Sequence, residues 1–439
     1  MSPILSSLTY NWTSFGGGVD AWIATLSNST KEAYGNSVAL DSAGNAYVGG
    51  TFIEAAHPTY DRRIYISKFD STGALQFQKL FGHGGMNHGN GIALDSSGNI
   101  YTCGDHESNG YRPTLAKFTS AGARSTSHQI NNNGEFTTLK VTSNGTRYLA
   151  GNIEGTNWPF NANSRQGFIL KVLPNASEDW WRLFYNGNTN VTITPQKSFA
   201  IDSSENIYAC FKTANHDRLA LIKYTSSGNQ TWQRRLTGAS GKHLEQEGLA
   251  IDGSGNVFIC GNENHNQDGI YDAYMTKFNS SGTQQWSRKI HDIFAKSCET
   301  DSSGNVYMVG LDVDQNMIIV KWNSSGTLQF QQKISSNRSE RFHEIAIDSD
   351  GNLYCTGYSE KLNTKAHVVL VKLPGDGSVL GTASHWTISN TGRTESAHSW
   401  YGDTSANEVN TYNFAINYQN ETSKSVSNSS NTSGLNAFN

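Results

Sequence analysis

The sequence predicts an all-β fold, a seven-bladed β-propeller of four-stranded antiparallel blades. Three observations carry that prediction. A seven-residue unit, Asp301-Ser-Ser-Gly-Asn-Val-Tyr307, recurs along the chain, a Gly stands three residues after its aromatic, and one Lys returns in register in each repeat. Successive copies begin 47 to 60 residues apart. Such a period is the mark of propellers and other repeat arrays.

The unit recurs as Asp41–Tyr47, Asp95–Tyr101, Asp202–Tyr208, Asp252–Phe258 and Asp348–Tyr354, with a degenerate copy at Thr142–Tyr148. Apolar runs such as Ile92-Ala-Leu94 and Ile345-Ala-Ile347 precede it, and runs such as Val306-Tyr-Met-Val-Gly310 follow. Each copy therefore reads as two strands joined by a tight turn. In that turn the Asp carboxylate bonds backbone amides, while Gly and Asn accept positive φ. Glu205 takes the place of Gly in the fourth copy. The loop also resembles part of a calcium site, but the carboxylates needed to complete the cage do not follow at the right offsets. Turn chemistry is the simpler account.

The second strand ends at Gly50, Gly104, Gly151, Gly261, Gly310 or Gly357, with Phe211 as the exception. Glycine there implies close backbone approach or a strand bend. A third strand follows, carrying Lys68, Lys117, Lys171, Lys223, Lys277, Lys321 or Lys372. A second turn, as in Asn279-Ser-Ser-Gly282, leads to a fourth strand with an aromatic: Phe77, Trp181, Trp232, Trp286 or Phe330. Four strands in each of seven repeats make the propeller. A ring of seven lysines suits either an anion or pairing with the motif Asp residues, and pairing is the simpler reading. Thr142 would then leave Lys171 without its partner.

The Asp-x-x-Gly-Asn-x-Tyr-x-x-Gly unit followed by an apolar strand ending in Lys resembles the SBBP-type β-propeller repeat family. The resemblance runs from about Asn36 to Asn390 and is weakest in the third copy. It implies a propeller in an extracellular or virion-surface setting, often within modular or phage structural proteins, and it implies no single activity.

Composition agrees with many short strands and turns: 43 glycines, 16% charged residues and a net charge of −4. Nothing is basic enough to suggest nucleic acid, and no apolar run is long enough to span a bilayer. The first ten residues have neither the positive nor the apolar region of a secretory signal. Five cysteines, Cys103, Cys210, Cys260, Cys298 and Cys355, fall within strands and are expected to be buried and reduced. No cofactor or metal is expected from their spacing.

Three regions follow: residues 1–35 as an N-terminal extension, 36–390 as the propeller and 391–439 as a polar C-terminal extension. Trp22-Ile-Ala-Thr-Leu26 resembles the fourth strand Trp232-Gln-Arg-Arg-Leu236, and Trp22 precedes Asp41 by 19 residues as Trp232 precedes Asp252 by 20. On that spacing the N-terminus supplies the outer strand of the last blade and removes an exposed edge. The competing reading takes Val379-Leu380 to Trp386-Thr-Ile388 for that strand. Alternation from Thr411 to Tyr418 suggests one further strand, and Ser423–Ser433 is low-complexity.

The Asp-bearing turns crowd one face, so functional diversity is expected on the other, where the second-to-third-strand loops lie. Candidate ligand-binding residues there are His57, Tyr60, Arg62, His106, Tyr111, Arg112, Trp158, Phe160, His216 and His265. Aromatics with nearby Arg and Asn suit glycan stacking or a protein contact. His57, His83, His88, His106, His216, His243, His265 and His343 are read as polar loop residues, since no spacing supports a metal or an acid–base pair. The expectation is a non-enzymatic structural or adhesion protein on a larger assembly, such as a phage tail or capsid surface assembled in the host cytoplasm. Its terminal extensions would contact other assembly proteins, and its loop face a surface glycan. The alternatives are a propeller lyase or glycoside hydrolase, and a bacterial surface lectin.

Overall fold

A computed structural model describes residues 9–15, 20–28, 30–54, 61–82, 87–107, 110–155, 164–185, 198–212, 218–238, 242–264, 271–360, 365–397, 410–412 and 418–420. Its strands form seven antiparallel sheets, the blades of an all-β propeller. The inner strands, in order, are Glu32–Leu40, His88–Leu94, Gly134–Val141, Phe199–Ile201, His243–Ile251, Ile293–Thr300 and Ser339–Ile347. Among the described residues no helix is long and apolar enough to cross a membrane.

Each middle strand is covered on both sides by neighbouring blades. Val257–Asn264 and Val306–Asp312 are accordingly buried at every position, which explains continuous apolar runs where a half-exposed sheet would alternate. The apolar core is divided into seven clusters, one at each seam between blades. All five cysteines are free and buried.

The motif Asp organises its own turn. Asp301 Oδ1 accepts the amides of Ser303 and Asn305, and Oδ2 accepts Asn305 Nδ2 and the Tyr307 hydroxyl at 2.8 and 3.1 Å. Burial alone would raise the Asp41 and Asp95 carboxyls, but the same set of bonds outweighs it and holds both below the usual range. With its lone pairs so occupied, the Asp has little left for the Lys. The lysines approach it only to 4.0 Å, in the first two blades. Instead all seven ammonium groups lie over the motif ring of their own blade, 4.8 to 5.6 Å from its centre. Four also donate to the third-to-fourth-strand turn of the next blade: Lys171 to Ser226, Lys277 to Ser324, Lys321 to Gly375 and Lys372 to Ser71. Lys171, far from lacking a partner, pairs with Asp179 at 3.0 Å.

Fourth-strand residues fasten the same turns. The indoles of Trp180, Trp232 and Trp286 donate to Ser226, Ser280 and Ser324, and the guanidinium groups of Arg182, Arg234 and Arg288 to Gly228, Gly282 and Gly326. In the third blade Trp180, not Trp181, stands opposite Lys171. Trp181 faces the other side and donates to Glu178 at 2.8 Å.

Trp22–Ser27 pairs antiparallel with His367–Pro374, with Trp22 opposite Lys372, as the fourth strand of the last blade. Thr9–Ser14 adds a fifth. The chain then travels backward around the rim after the last blade. Trp386–Asn390 pairs with the sixth blade, Glu395–Ala397 with the fifth, Asn410–Tyr412 with the third and Tyr418–Asn420 with the second. The expected single strand from Thr411 to Tyr418 is thus two short strands on different blades, with residues 413–417 outside the described residues. A backbone edge that would otherwise be open on each of these blades is satisfied by the chain's own C-terminal segment.

Candidate functional site

A β-bulge interrupts the inner strand of six blades at the same motif position, five residues before the Asp or its Thr142 equivalent. The bulged residues are Asn36, Asn90, Thr137, Glu247, Lys296 and His343. Such an extra residue re-aims a side chain, and here each is turned into the central channel. With Glu135 they line a cavity of about 300 Å³. The glycines three residues past the motif aromatic, which lie within the second strands and do not end them, are the other half of this device. A Cβ on Gly50, Gly151, Gly310 or Gly357 would lie 1.8 to 2.0 Å from the carbonyl oxygen of Tyr34, Glu135, Phe294 or Arg341, two residues before each bulge. The fourth blade, with Phe211 instead of Gly, has only the short inner strand Phe199–Ile201 described.

The bulged side chains stitch one blade to the next. His343 Nδ1 meets Gly35 O at 3.1 Å, Asn36 Nδ2 donates to Gly89 O at 2.8 Å, and Asn90 Nδ2 to Phe136 O at 2.9 Å. Lys296 and Glu247 form an ion pair at 3.0 Å across the seam of blades five and six. Nearer the Asp-bearing face, burial pushes the Glu299 carboxyl up, while the charge of Lys140 from across the ring opposes it. His343 therefore belongs to the channel wall and not to the loops, where sequence reasoning had put it.

A second cluster lies on the loop face at the seam of blades one and two. His88 sits between a carboxylate and a guanidinium: Nδ1 is 3.0 Å from both oxygens of Asp105, which is 2% exposed, and Nε2 meets Arg62. Arginine only donates, so Nε2 accepts and the ring hydrogen is on Nδ1. Asn87, fully buried, donates through Nδ2 to Arg62 O at 2.6 Å and accepts from His106 Nδ1. Tyr111, 37% exposed, has its ring 6.4 Å from that of His88, and Arg112 donates to Asn131 at 2.8 Å. Of the sequence candidates, Arg62, His106, Tyr111 and Arg112 come together here. His57, Tyr60, Trp158, Phe160, His216 and His265 lie outside the described residues. Asn87 and Asp105 were missed: Asp105 stands within a strand, and Asn87 in the connection between blades, immediately before the inner strand His88–Leu94. The glycines opposite the bulges were the one signal that could have located the channel ring.

A family model described as Beta-propeller repeat (SBBP) matches residues 21–51, which run from the ring-closing strand into the second strand of the first blade. No curated protein matches the chain. Among solved structures, the polysaccharide lyase Uly1 aligns with a TM-score of 0.51 at 12% identity over 78% of this chain and 90% of its own. A protein of unknown function from Dyadobacter fermentans aligns with a TM-score of 0.47 at 10% identity, over 79% and 96%. The Dos1 propeller aligns with a TM-score of 0.46 at 7% identity, over 83% and 95%. At such identities the likeness is one of fold.

Proposed function

We propose that this chain is a non-catalytic adhesion or display propeller that binds an acidic surface glycan at the loop-face seam of blades one and two. One observation carries the reading. Exposed Tyr111 stands beside Arg112 and the Arg62–His88 pair, while Asp105, the one carboxylate among the described side chains of the cluster, is buried beneath them. An aromatic face takes a sugar ring, and guanidinium groups take carboxylate or sulfate in bidentate geometry. The tautomer of His88 argues against acid–base work, since the nitrogen that would remove a proton already accepts from Arg62. The setting we propose is the surface of a larger assembly, a phage tail or capsid included. Its support is the family resemblance of the repeat and the free, buried state of every cysteine.

The test is binding of the purified chain to acidic and neutral polysaccharides. Saturable binding to acidic glycans that falls tenfold or more in Tyr111→Ala and Arg112→Ala supports the reading. Absence of such binding, or its persistence in the double variant, ends it.

The oriented Asp105–His88 dyad favours a second reading, a lyase acting on acidic polysaccharide once substrate draws Arg62 away. Appearance of unsaturated sugar ends in the same incubations, lost in His88→Ala, would replace the first reading with this one.

A further inference from the structure

The C-terminal segment visits the blades at a regular stride. Ile388 stands opposite Ile334 in the sixth blade, Glu395 opposite Ile290 in the fifth, Thr411 opposite Phe184 in the third and Tyr418 opposite Ile130 in the second. These four partners are equivalent positions. Each lies four residues after the one paired with its blade's Lys, which is Phe330, Trp286, Trp180 or Thr126. Neighbouring blades are thus seven residues apart along the segment, from 388 to 395 and from 411 to 418. The 16 residues from 395 to 411 carry the chain two blades onward.

Next in this backward order comes the first blade. Its outer strand, Leu75–Phe81, has no strand on its outer side among the described residues. Of its residues only Lys79 is charged and none is Pro, so it carries little of what guards an open edge. The last blade needs no such cover, because Thr9–Ser14 already pairs along its outer side.

We propose that the outer edge of the first blade is a docking site for residues 421–439 of the same chain, which lie outside the described residues, added there as one short antiparallel strand. The path up to Tyr418–Asn420, on the adjacent blade, leads to this edge, and 19 residues remain to reach it. Phe81 is the equivalent position, four residues after Phe77, which pairs with Lys68. A stride of seven or eight from Tyr418 sets residue 425 or 426 opposite it. Residues 421–439 contain no Pro, and Val426 is β-branched. Strand addition draws its affinity from main-chain bonds, so a polar segment qualifies. The inference is independent of the glycan reading of the loop face.

Hydrogen exchange of the full chain at Leu75–Phe81 tests it. The alternate amides that point away from Asp61–Phe69 should exchange roughly tenfold or more slowly than in Ser425→Pro/Val426→Pro. Successive strand residues aim their amides to opposite sides, so the two prolines remove a ladder donor in either register. Protection at Ile66, in the core of the blade, should be kept, and Asn436→Pro, beyond the docked strand, should change nothing. Rapid exchange of the outward amides in the parent overturns the proposal. So does protection that survives the paired prolines, or that is lost in Asn436→Pro. Protection that grows with chain concentration alongside dimers would give the edge to a second copy, and overturns it as well.

Discussion

The hydroxyl of Tyr148 donates to Glu205 Oε2 at 2.7 Å, across the seam of blades three and four. In four other repeats the equivalent phenol donates to its own motif Asp: Tyr47 to Asp41, Tyr101 to Asp95, Tyr208 to Asp202 and Tyr307 to Asp301. The third repeat has Thr142 in place of that Asp. The fourth has Glu205 in place of the turn Gly, held at a φ of 59° that L-residues avoid. The two departures from the repeat are one compensated exchange.

Glu205→Gly should therefore destabilise the fold, even though it relieves about 1 kcal/mol of left-handed strain. The lost bond to a charged acceptor is worth roughly 1.5–3 kcal/mol. In a Thr142→Asp background the phenol regains its ordinary partner, and the same change should become neutral or stabilising. A double-mutant cycle by denaturant unfolding measures the coupling, expected at about 1–2 kcal/mol. Additive single effects would show that the two sites do not compensate each other.

The architecture was legible because the turn chemistry repeats: an Asp with Gly and Asn at fixed offsets writes the same hairpin each time. What resisted reading depends on neighbours in space. Lys171 could be placed on its strand, but its partners, the Tyr148 ring, Ser226 and Asp179, include a turn from the next blade. The loop-face cluster was half legible, since Arg62, Tyr111 and Arg112 flank variable loops, while Asp105 reads as an ordinary strand residue and Asn87 as an ordinary polar residue ahead of a strand. The channel ring was encoded in Gly50 and its equivalents, whose missing Cβ makes room for a carbonyl just before a bulge. Polar, aperiodic residues after Asn390 carry no pattern that names the edges they pair with.

Arg393 pins the returning C-terminal segment. Its guanidinium lies 3.3 Å from each of Asp292, Asp312 and Asp314, and Trp322 donates to Glu395 two residues on at 2.7 Å. Asp312 is buried, and without the cation its carboxylate keeps only the bonds of its own turn, from the amides of Asp314 and Asn316 and from Asn316 Nδ2. Arg393→Ala should cost roughly 2 kcal/mol, less than a fully buried pair because the arginine is partly exposed. Hydrogen exchange should quicken at the amides of Thr391 and His291, which bond Gln331 O and Thr394 O. Protection at Ile318 and Ile319, in the core of the sixth blade, should be kept. Equal loosening of both regions would mean that the segment is integral to the blade and not separately pinned.

Two buried titratable groups give stability opposite dependences on pH. Burial, helped by the charge of Arg147, lowers His128 to about 4 from 6.5. The folded state thus binds fewer protons than the unfolded one, and stability falls as pH drops from about 6.5 to 4. Burial raises Glu340 to about 7 from 4.5, against the bonds from Ser336. Here the folded state holds the extra proton, and stability falls as pH rises from about 4.5 to 7. Each effect is on the order of 2 kcal/mol once screening is allowed for. Glu340→Gln should flatten the neutral limb and His128→Gln the acid limb of melting temperature against pH. If each substitution leaves its own limb unchanged, the groups are not buried as described.

The glycines facing the bulges offer the sharpest structural test, because the obstacle is backbone. A Cβ at Gly357 would lie 1.9 Å from Arg341 O, and relief requires moving the strand that carries His343. Gly310→Ala makes the same demand on the strand that carries Lys296, with Phe294 O at 2.0 Å. Each should destabilise by about 2–3 kcal/mol, as overpacking against an unyielding neighbour does. Gly253→Ala is the control: nothing lies within 4 Å of its Cβ, so it should fall within roughly 0.5 kcal/mol of the parent. The two seam glycines should also differ in what they disturb. Gly310→Ala displaces Lys296 from Glu247 across the seam of blades five and six and should quicken exchange of the Ala295 amide, which bonds Asn262 there at 2.7 Å. Gly357→Ala instead breaks the contact of His343 with Gly35, which joins the last blade to the first. It should loosen the ring at that seam, seen as faster exchange of the Val38 amide, which bonds Glu344 across it at 3.1 Å. If both alanines are tolerated as well as the control, the bulges are not held by the missing side chain, and the account of how the channel ring is built fails with them.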